Sequence, residues 1–181
     1  MKPLEVRTDR SALSDRTYIV TRVWPPMAAG LAGSAAHSCL MFLKFRAGLL
    51  PSFQPYDDLQ RLLGDLVGST VGPAVPWLLS FANGALVLGF LFGRTYRLLP
   101  GRSGAVKGLI FGLTGWILMG LIFFPLLGRG LFAVQVGLGL LPAAFSLVMV
   151  LTYSIVMGIA YSILCPMREP TVPDLPSGLA I

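Results

Sequence analysis

The chain has 181 residues, of which 55% are hydrophobic and only 12% charged, about half the charged fraction of an ordinary soluble domain. So little polar surface cannot coat a water-borne globule, and the formal net charge of +6 therefore has to be read by where it falls along the chain. No base-stacking aromatic cluster accompanies the basic residues, so nucleic acid is not an expected partner.

Four stretches, residues 25 to 43, 74 to 93, 108 to 127 and 138 to 165, contain no Asp, Glu, Lys or Arg. A hydrocarbon core of about 30 Å needs about 20 such residues in a helix. The fold class expected is all-α: a polytopic transmembrane four-helix bundle, with residues 1–23 a charged tail, 24–166 the membrane domain and 167–181 a second tail. The first 24 residues carry charges throughout and lack an early apolar run, so no cleavable signal peptide is expected and span one reads as an uncleaved anchor.

Span one is expected to open after Trp24-Pro25-Pro26, an interfacial aromatic followed by prolines where a helix tolerates them, and to end against Lys44 and Arg46. Between spans one and two, Leu59, Leu62, Leu63, Leu66 and Val67 recur at helical spacing, with Asp57, Asp58, Gln60, Arg61 and Asp65 between them. Pro55, two first-turn aspartates and Gly68 supply start, dipole-complementing and stop signals for an amphipathic helix. Its near-neutral charge favours capping the bundle over lying on lipid. Span two should begin near Pro73 and finish at Arg94-Thr95-Tyr96-Arg97. Span three should follow Lys107 and stop around Pro125 to Gly130. Span four should start near Pro142, with residues 131–141 either joined to it or lying at the outer surface.

Lys and Arg mark the cytoplasmic side of a membrane protein. Lys2, Arg7, Arg10, Arg16, Arg22, Arg94, Arg97, Arg102, Lys107 and Arg168 fall on one side of the spans; Lys44, Arg46, Arg61 and Arg129 fall on the other. Both termini are accordingly expected in the cytoplasm, with the basic rim drawing anionic lipid. Cys39 and Cys165 lie too far apart along the membrane normal to pair and read as small buried apolar residues.

The two halves of the chain share a faint parallel repeat. Gly30-Leu31 and Leu40-Met41 recur as Gly108-Leu109 and Leu118-Met119, and Gly93-x-x-Tyr96 recurs as Gly158-x-x-Tyr161. A duplicated helical hairpin would explain both matches. Small residues at four-residue spacing stripe every span, among them Gly30, Gly33, Gly89, Gly93, Gly108, Gly112, Ser154 and Gly158. Such stripes let helices approach closely in lipid, either within one chain or in a homo-oligomer or partner-subunit face; packing within the chain is the preferred reading.

Four polar residues at membrane depth, His37, Asn83, Thr114 and Tyr153, form the candidate intramembrane site. His37, the single histidine, should point inward. A relay or metal site would need further ionisable groups at that depth, so a neutral histidine bonded to a helix carbonyl, Asn83, Thr114 or Tyr153 is preferred. Asp57 and Asp58 could pass as a catalytic pair, but their first-turn position accounts for them. The chain carries no Gly-Lys-Ser/Thr loop, His-Glu-x-x-His pair, CxxC pair or Gly-x-Ser-x-Gly elbow. No enzyme activity, cofactor or metal is expected.

Three stretches resemble a known family. They are Ala29-Gly30-Leu31-Ala32-Gly33 running to Met41 and Lys44; Gly48-Leu49-Leu50-Pro51 leading into Pro55; and Leu99-Pro100-Gly101-Arg102-Ser103 running through Gly108-Leu109-Ile110-Phe111-Gly112-Leu113. The pattern resembles a family of small, uncharacterised bacterial integral membrane proteins with four helices. The likeness covers residues 25–165 and implies a bacterial inner-membrane location and a four-helix architecture; it transfers no activity and no catalytic residue. The reading that results is a non-enzymatic accessory or structural subunit acting through helix and lipid contacts. A small oligomeric transporter or channel, or a cofactor-binding subunit of a respiratory complex, are the alternatives.

Overall fold

A computed structural model describes residues 10–166, with side chains described from residue 23 onward. The described chain is helical and has no strand. In order it comprises α1 (Arg10–Arg46), α2 (Pro55–Val67), α3 (Ala74–Ala82), a π-helical segment (Asn83–Leu88), α4 (Gly89–Thr95), α5 (Gly104–Leu118), a second π-helical segment (Met119–Phe123), α6 (Phe124–Leu126), a 3-10 segment (Leu131–Val136) and α7 (Leu141–Leu164). Four helices are long and apolar enough to cross a membrane: Val23–Arg46, Ala74–Thr95, Gly104–Leu126 and Leu141–Leu164. Their outward faces carry Leu31, Phe42, Leu78, Val87, Ile122 and Ile163, all exposed. A water-soluble monomer does not present so continuous an apolar surface.

Helix α1 does not begin at Pro25-Pro26 as expected; it runs from Arg10 through both prolines, across the boundary drawn at residue 23. Each proline removes one intrahelical hydrogen bond. Tertiary packing compensates, because Pro25 and Pro26 are buried and Pro26 sits against the bare backbones of Gly89 and Gly93. The remainder of the expected tails, residues 1–9 and 167–181, lies outside the described residues.

Helix α2 starts at Pro55 and ends at Gly68 in the left-handed conformation (φ 69°), whose amide bonds the Gly64 carbonyl. Its faces differ from the expected pattern. Asp58, assigned to the polar face, is buried and accepts from Arg129, whereas Leu66 and Val67, assigned to the apolar face, are exposed. Asp58 is paired with an arginine far along the sequence, which the periodicity of the helix does not encode, while Asp57, Arg61 and Asp65 are exposed as expected. Lys107, expected before span three, lies inside it: α5 starts at Gly104 with Ser103 Oγ accepting from the Val106 amide, and Lys107 is buried. Residues 131–136 form a separate 3-10 segment rather than extending span four. Cys39 is exposed, not buried as expected, and Cys165 is half-buried.

The spans pack as a chain of neighbours. α5 lies on α7, α7 on α1, and α1 on the second span. Span two and span three do not share a close backbone interface. At the end of the bundle away from α2, side chains bridge them: Phe92 and Phe111 meet edge to face with centroids 5.2 Å apart, and Lys107 Nζ donates to Tyr96 O at 2.8 Å from above the Tyr96 ring. Ala29, Phe92, Tyr96, Tyr153 and Met157 form the core there. A second, smaller cluster of Phe53, Phe124 and Ala133 closes the α2 end. Between the two cores the bundle is hollow.

Candidate functional site

The hollow is a cavity of about 620 Å3, reached by all four spans and by α2, and its size falls within the range of about 300–1,000 Å3 usual for small-molecule sites. Span one contributes Ser34, His37 and Met41; span four contributes Phe145, Met149 and Tyr153. Pro55, Tyr56 and Leu59 of α2 form its cover. No charged side chain lines it. Seven aromatic rings and three methionines do, leaving a few hydroxyls, one imidazole and one carboxamide as its polar groups.

Three of the four expected site residues come together here. His37 lines the cavity with its ring 6.5 Å from that of Tyr56, edge to face. Asn83 lines it from span two and is also exposed on the bundle surface, which places it at the rim. Tyr153 lines it and donates through its hydroxyl to the Gly84 carbonyl at 2.8 Å, rather than bonding His37. Thr114 is not part of the site: it faces outward and returns its hydroxyl to the Ile110 carbonyl at 3.0 Å, the usual resting place of a helical threonine in a solvent that offers no partner.

The expected packing residues sit at helix contacts within the chain. A Cβ on Gly30 would meet the Gly84–Ala85 backbone, and one on Gly33 would lie 2.8 Å from the Tyr153 carbonyl. Gly89 and Gly93 receive Pro26. Gly108 and Gly112 receive Ser154, and Gly158 receives Gly104 and Gly108. These close approaches seal α5 to α7 and α1 to the second span, and the cavity lies beside them, lined by small residues such as Gly84, Gly115 and Ser154 as well as by large ones.

Two features of the site were missed by the sequence reading. Both spans that flank the cavity without packing on one another contain a π-helical segment, Asn83–Leu88 and Met119–Phe123, and Asn83, Gly84, Leu88, Met119 and Phe123 line the cavity. Such bulges are rare and concentrate at functional positions. Each has an identifiable cause. The Gly84 carbonyl accepts from both the Gly89 amide and the Tyr153 hydroxyl, which holds the ladder one residue wide. In the third span Pro125 has no amide to return to Leu121, and the Phe124 amide reaches back to Met119 O. The ring of Phe132 fills the space beside Gly120.

Phe132 and Ala133 hold left-handed backbone (φ 51° and 62°), as does Leu50 (φ 49°), each at a cost of order 1–3 kcal/mol. Ala133 belongs to the cluster that roofs the cavity and Leu50 packs against it, while the Phe132 ring lies on Trp116. The roof is tied down by charge. Arg129 makes a two-pronged pair with Asp58, its Nε at 2.9 Å from Oδ2, and the carboxylate holds the guanidinium pKa above its ordinary value. Lys44, buried, donates to Phe53 O and to Gln54 Oε1, the latter at 3.2 Å. Tyr56 bonds Ser80 at 2.9 Å and packs on Trp77 with centroids 4.4 Å apart; burial pushes its phenol pKa up. Among the described residues no cluster of His, Cys, Asp or Glu could hold a metal ion.

A family profile covers this architecture almost entirely, matching residues 20–172. The chain belongs to DUF6789, a family of unknown function. The match includes every cavity-lining residue of this DUF6789 member, together with the Pro25-Pro26 pair and α2. No curated protein and no solved structure matches the chain.

Proposed function

We propose that this chain is a non-enzymatic, multi-pass subunit of the bacterial inner membrane that holds an apolar molecule drawn from the lipid phase inside its helix bundle. The observation that carries the reading is the uncharged cavity between the spans, closed at one end by the Phe92–Tyr96–Met157 core and roofed at the other by α2. A conduit would need an opening at both ends. The closure at Phe92 and Phe111 therefore favours a binding pocket over a channel, and the uncharged lining favours binding over proton or ion movement.

The exposed Arg94, Arg97 and Arg102 share the end opposite α2, which supports placing that end and both termini in the cytoplasm against anionic lipid. The amphipathic α2, with Leu66 and Val67 turned outward, then lies at the periplasmic interface as a cover. Packing of small residues within the chain leaves the lipid-facing surface free for a second copy or a larger complex.

Native mass spectrometry of the chain released from nanodiscs tests the binding reading. One retained apolar molecule per chain is expected for the natural sequence and none for Gly115→Leu, which puts a side chain into the cavity from a glycine whose Cβ direction is open. Equal retention by both chains would refute it. A reporter fused to the C-terminus and found active only in the periplasm would overturn the topology.

A further inference from the structure

The uptake reading leaves the kind of molecule open, and three observations narrow it. First, the lining carries no charge, so an ionised head would forfeit its hydration without a counter-charge. Second, the lining is dense in rings and thioethers, with Phe111, Phe123 and Phe145 joined there by Met41, Met119 and Met149. Aromatic faces and polarizable sulfurs favour a flat ring over a saturated chain. Third, the polar groups that α1, α2 and span two bring to the cavity adjoin one another, His37 beside Tyr56, Tyr56 bonded to Ser80, and Asn83 one turn from Ser80 at the rim, while Ser146 and Tyr153 of span four already donate to the Ala143 and Gly84 carbonyls. An imidazole and a carboxamide each offer a donor and an acceptor, which suits carbonyl or hydroxyl oxygens on an uncharged ring.

The way in is also visible. Span two and span three flank the cavity without a close backbone interface, and the π-helical segments Asn83–Leu88 and Met119–Phe123 border that gap. Leu86, Leu121 and Ile122 in these segments are exposed where lipid would meet them. A molecule whose head fills the cavity can leave its tail in the gap and beyond it in the bilayer.

We propose that the cavity binds an uncharged ring-headed lipid of the quinone or quinol class, its ring between His37 and Asn83 and its isoprenoid tail passing sideways between the second and third spans. The proposal rests on the binding reading above and concerns binding alone, with no electron transfer assigned to the chain.

The test uses the full chain in phosphatidylcholine nanodiscs doped with equal amounts of a prenylated methylnaphthoquinone, hexadecanol and hexadecanoate, with retained species counted by native mass spectrometry. The naphthoquinone should be retained at least tenfold over either single-chain amphiphile. His37→Leu and Asn83→Leu should each lower its retention several-fold and leave that of hexadecanol unchanged. His37→Gln, which keeps a donor and an acceptor, should recover part of it, and unchanged thermal unfolding of each variant would separate lost contacts from lost fold. Lengthening the prenyl tail should not weaken retention, because the tail lies outside. If hexadecanol or hexadecanoate is held as well as the quinone, or if longer tails are rejected, this proposal falls while the cavity-binding reading survives. If no apolar molecule is held by any chain, both fall.

Discussion

Two glycines in α5 separate packing from propensity, because the same substitution should stabilise the bundle at one and destabilise it at the other. A Cβ on Gly108 would press on the carbonyl of Ser154, with Ser154 C at 2.9 Å and Ile155 Cα at 3.1 Å. All three are backbone atoms that no rotamer change can clear. Overpacking of this kind costs about 1–3 kcal/mol, against a gain of about 0.5–1 kcal/mol from removing a mid-helix glycine. Gly108→Ala should therefore lose up to about 2.5 kcal/mol. Gly115, two turns on, has open space around its Cβ, so Gly115→Ala should keep the propensity gain alone, about 0.5–1 kcal/mol. Gly112 falls between them, since its Cβ would meet the Ser154 side chain at 2.8 Å, which can turn aside. Helix content followed by circular dichroism during titration of dodecyl sulfate into mixed micelles would rank the three variants. Equal shifts of the same sign at Gly108 and Gly115 would refute the assignment of the α5–α7 seam to backbone contact.

Other expectations follow from the roof and the bulges. Asp58→Asn should leave Arg129 facing a neutral amide, cost about 1–3 kcal/mol locally and speed hydrogen exchange across Pro55–Val67; unchanged protection would show that the pair does not hold α2. Tyr153→Phe should cost about 1 kcal/mol and remove one of the two donors to the Gly84 carbonyl, visible as a shift of an isotope-labelled Gly84 amide I band, and an unshifted band would remove Tyr153 as the cause of the bulge. Burial raises the Tyr56 pKa above its ordinary value, so the folded state holds that proton more tightly than the unfolded chain. Its contribution to stability should be constant below about pH 10 and be lost as pH rises through the raised value. Stability of the natural chain and of Tyr56→Phe should differ by a constant amount of about 1 kcal/mol at neutral pH, from the lost Ser80 hydrogen bond, and that difference should change only in alkali; curves that stay parallel through alkaline pH would contradict the burial.

The spans were legible because each is uncharged over a bilayer's thickness, and the packing glycines because small residues repeat every fourth position. Proline placement misled. Pro25 and Pro26 read as a helix start, and only the glycine backbones of span two, more than 60 residues on, explain why the helix passes through them. His37, Asn83 and Tyr153 stand out in the sequence as polar residues at membrane depth, yet nothing local distinguishes them from Thr114, which the helix turns outward. The cavity itself was hidden because a void has no residue of its own: it opens where side chains from four spans and α2, small ones such as Gly84, Gly115 and Ser146 among them, leave space between them. The π-helical segments were equally silent, since the Asn83–Leu88 bulge depends on a hydroxyl from the fourth span and the other on Pro125 acting with the ring of Phe132.

The division of the bundle into a solid half and a hollow half also sets how it yields to force. Hydrostatic pressure favours whichever state eliminates internal void, and here a cavity of about 620 Å3 lies beneath α2. Compression should therefore first disturb the second and third spans near Asn83 and Met119, while the aromatic end around Phe92 keeps its shape. The bundle behaves as a rigid foot carrying a compliant head, and lateral stress in the surrounding lipid would be felt at the same gap.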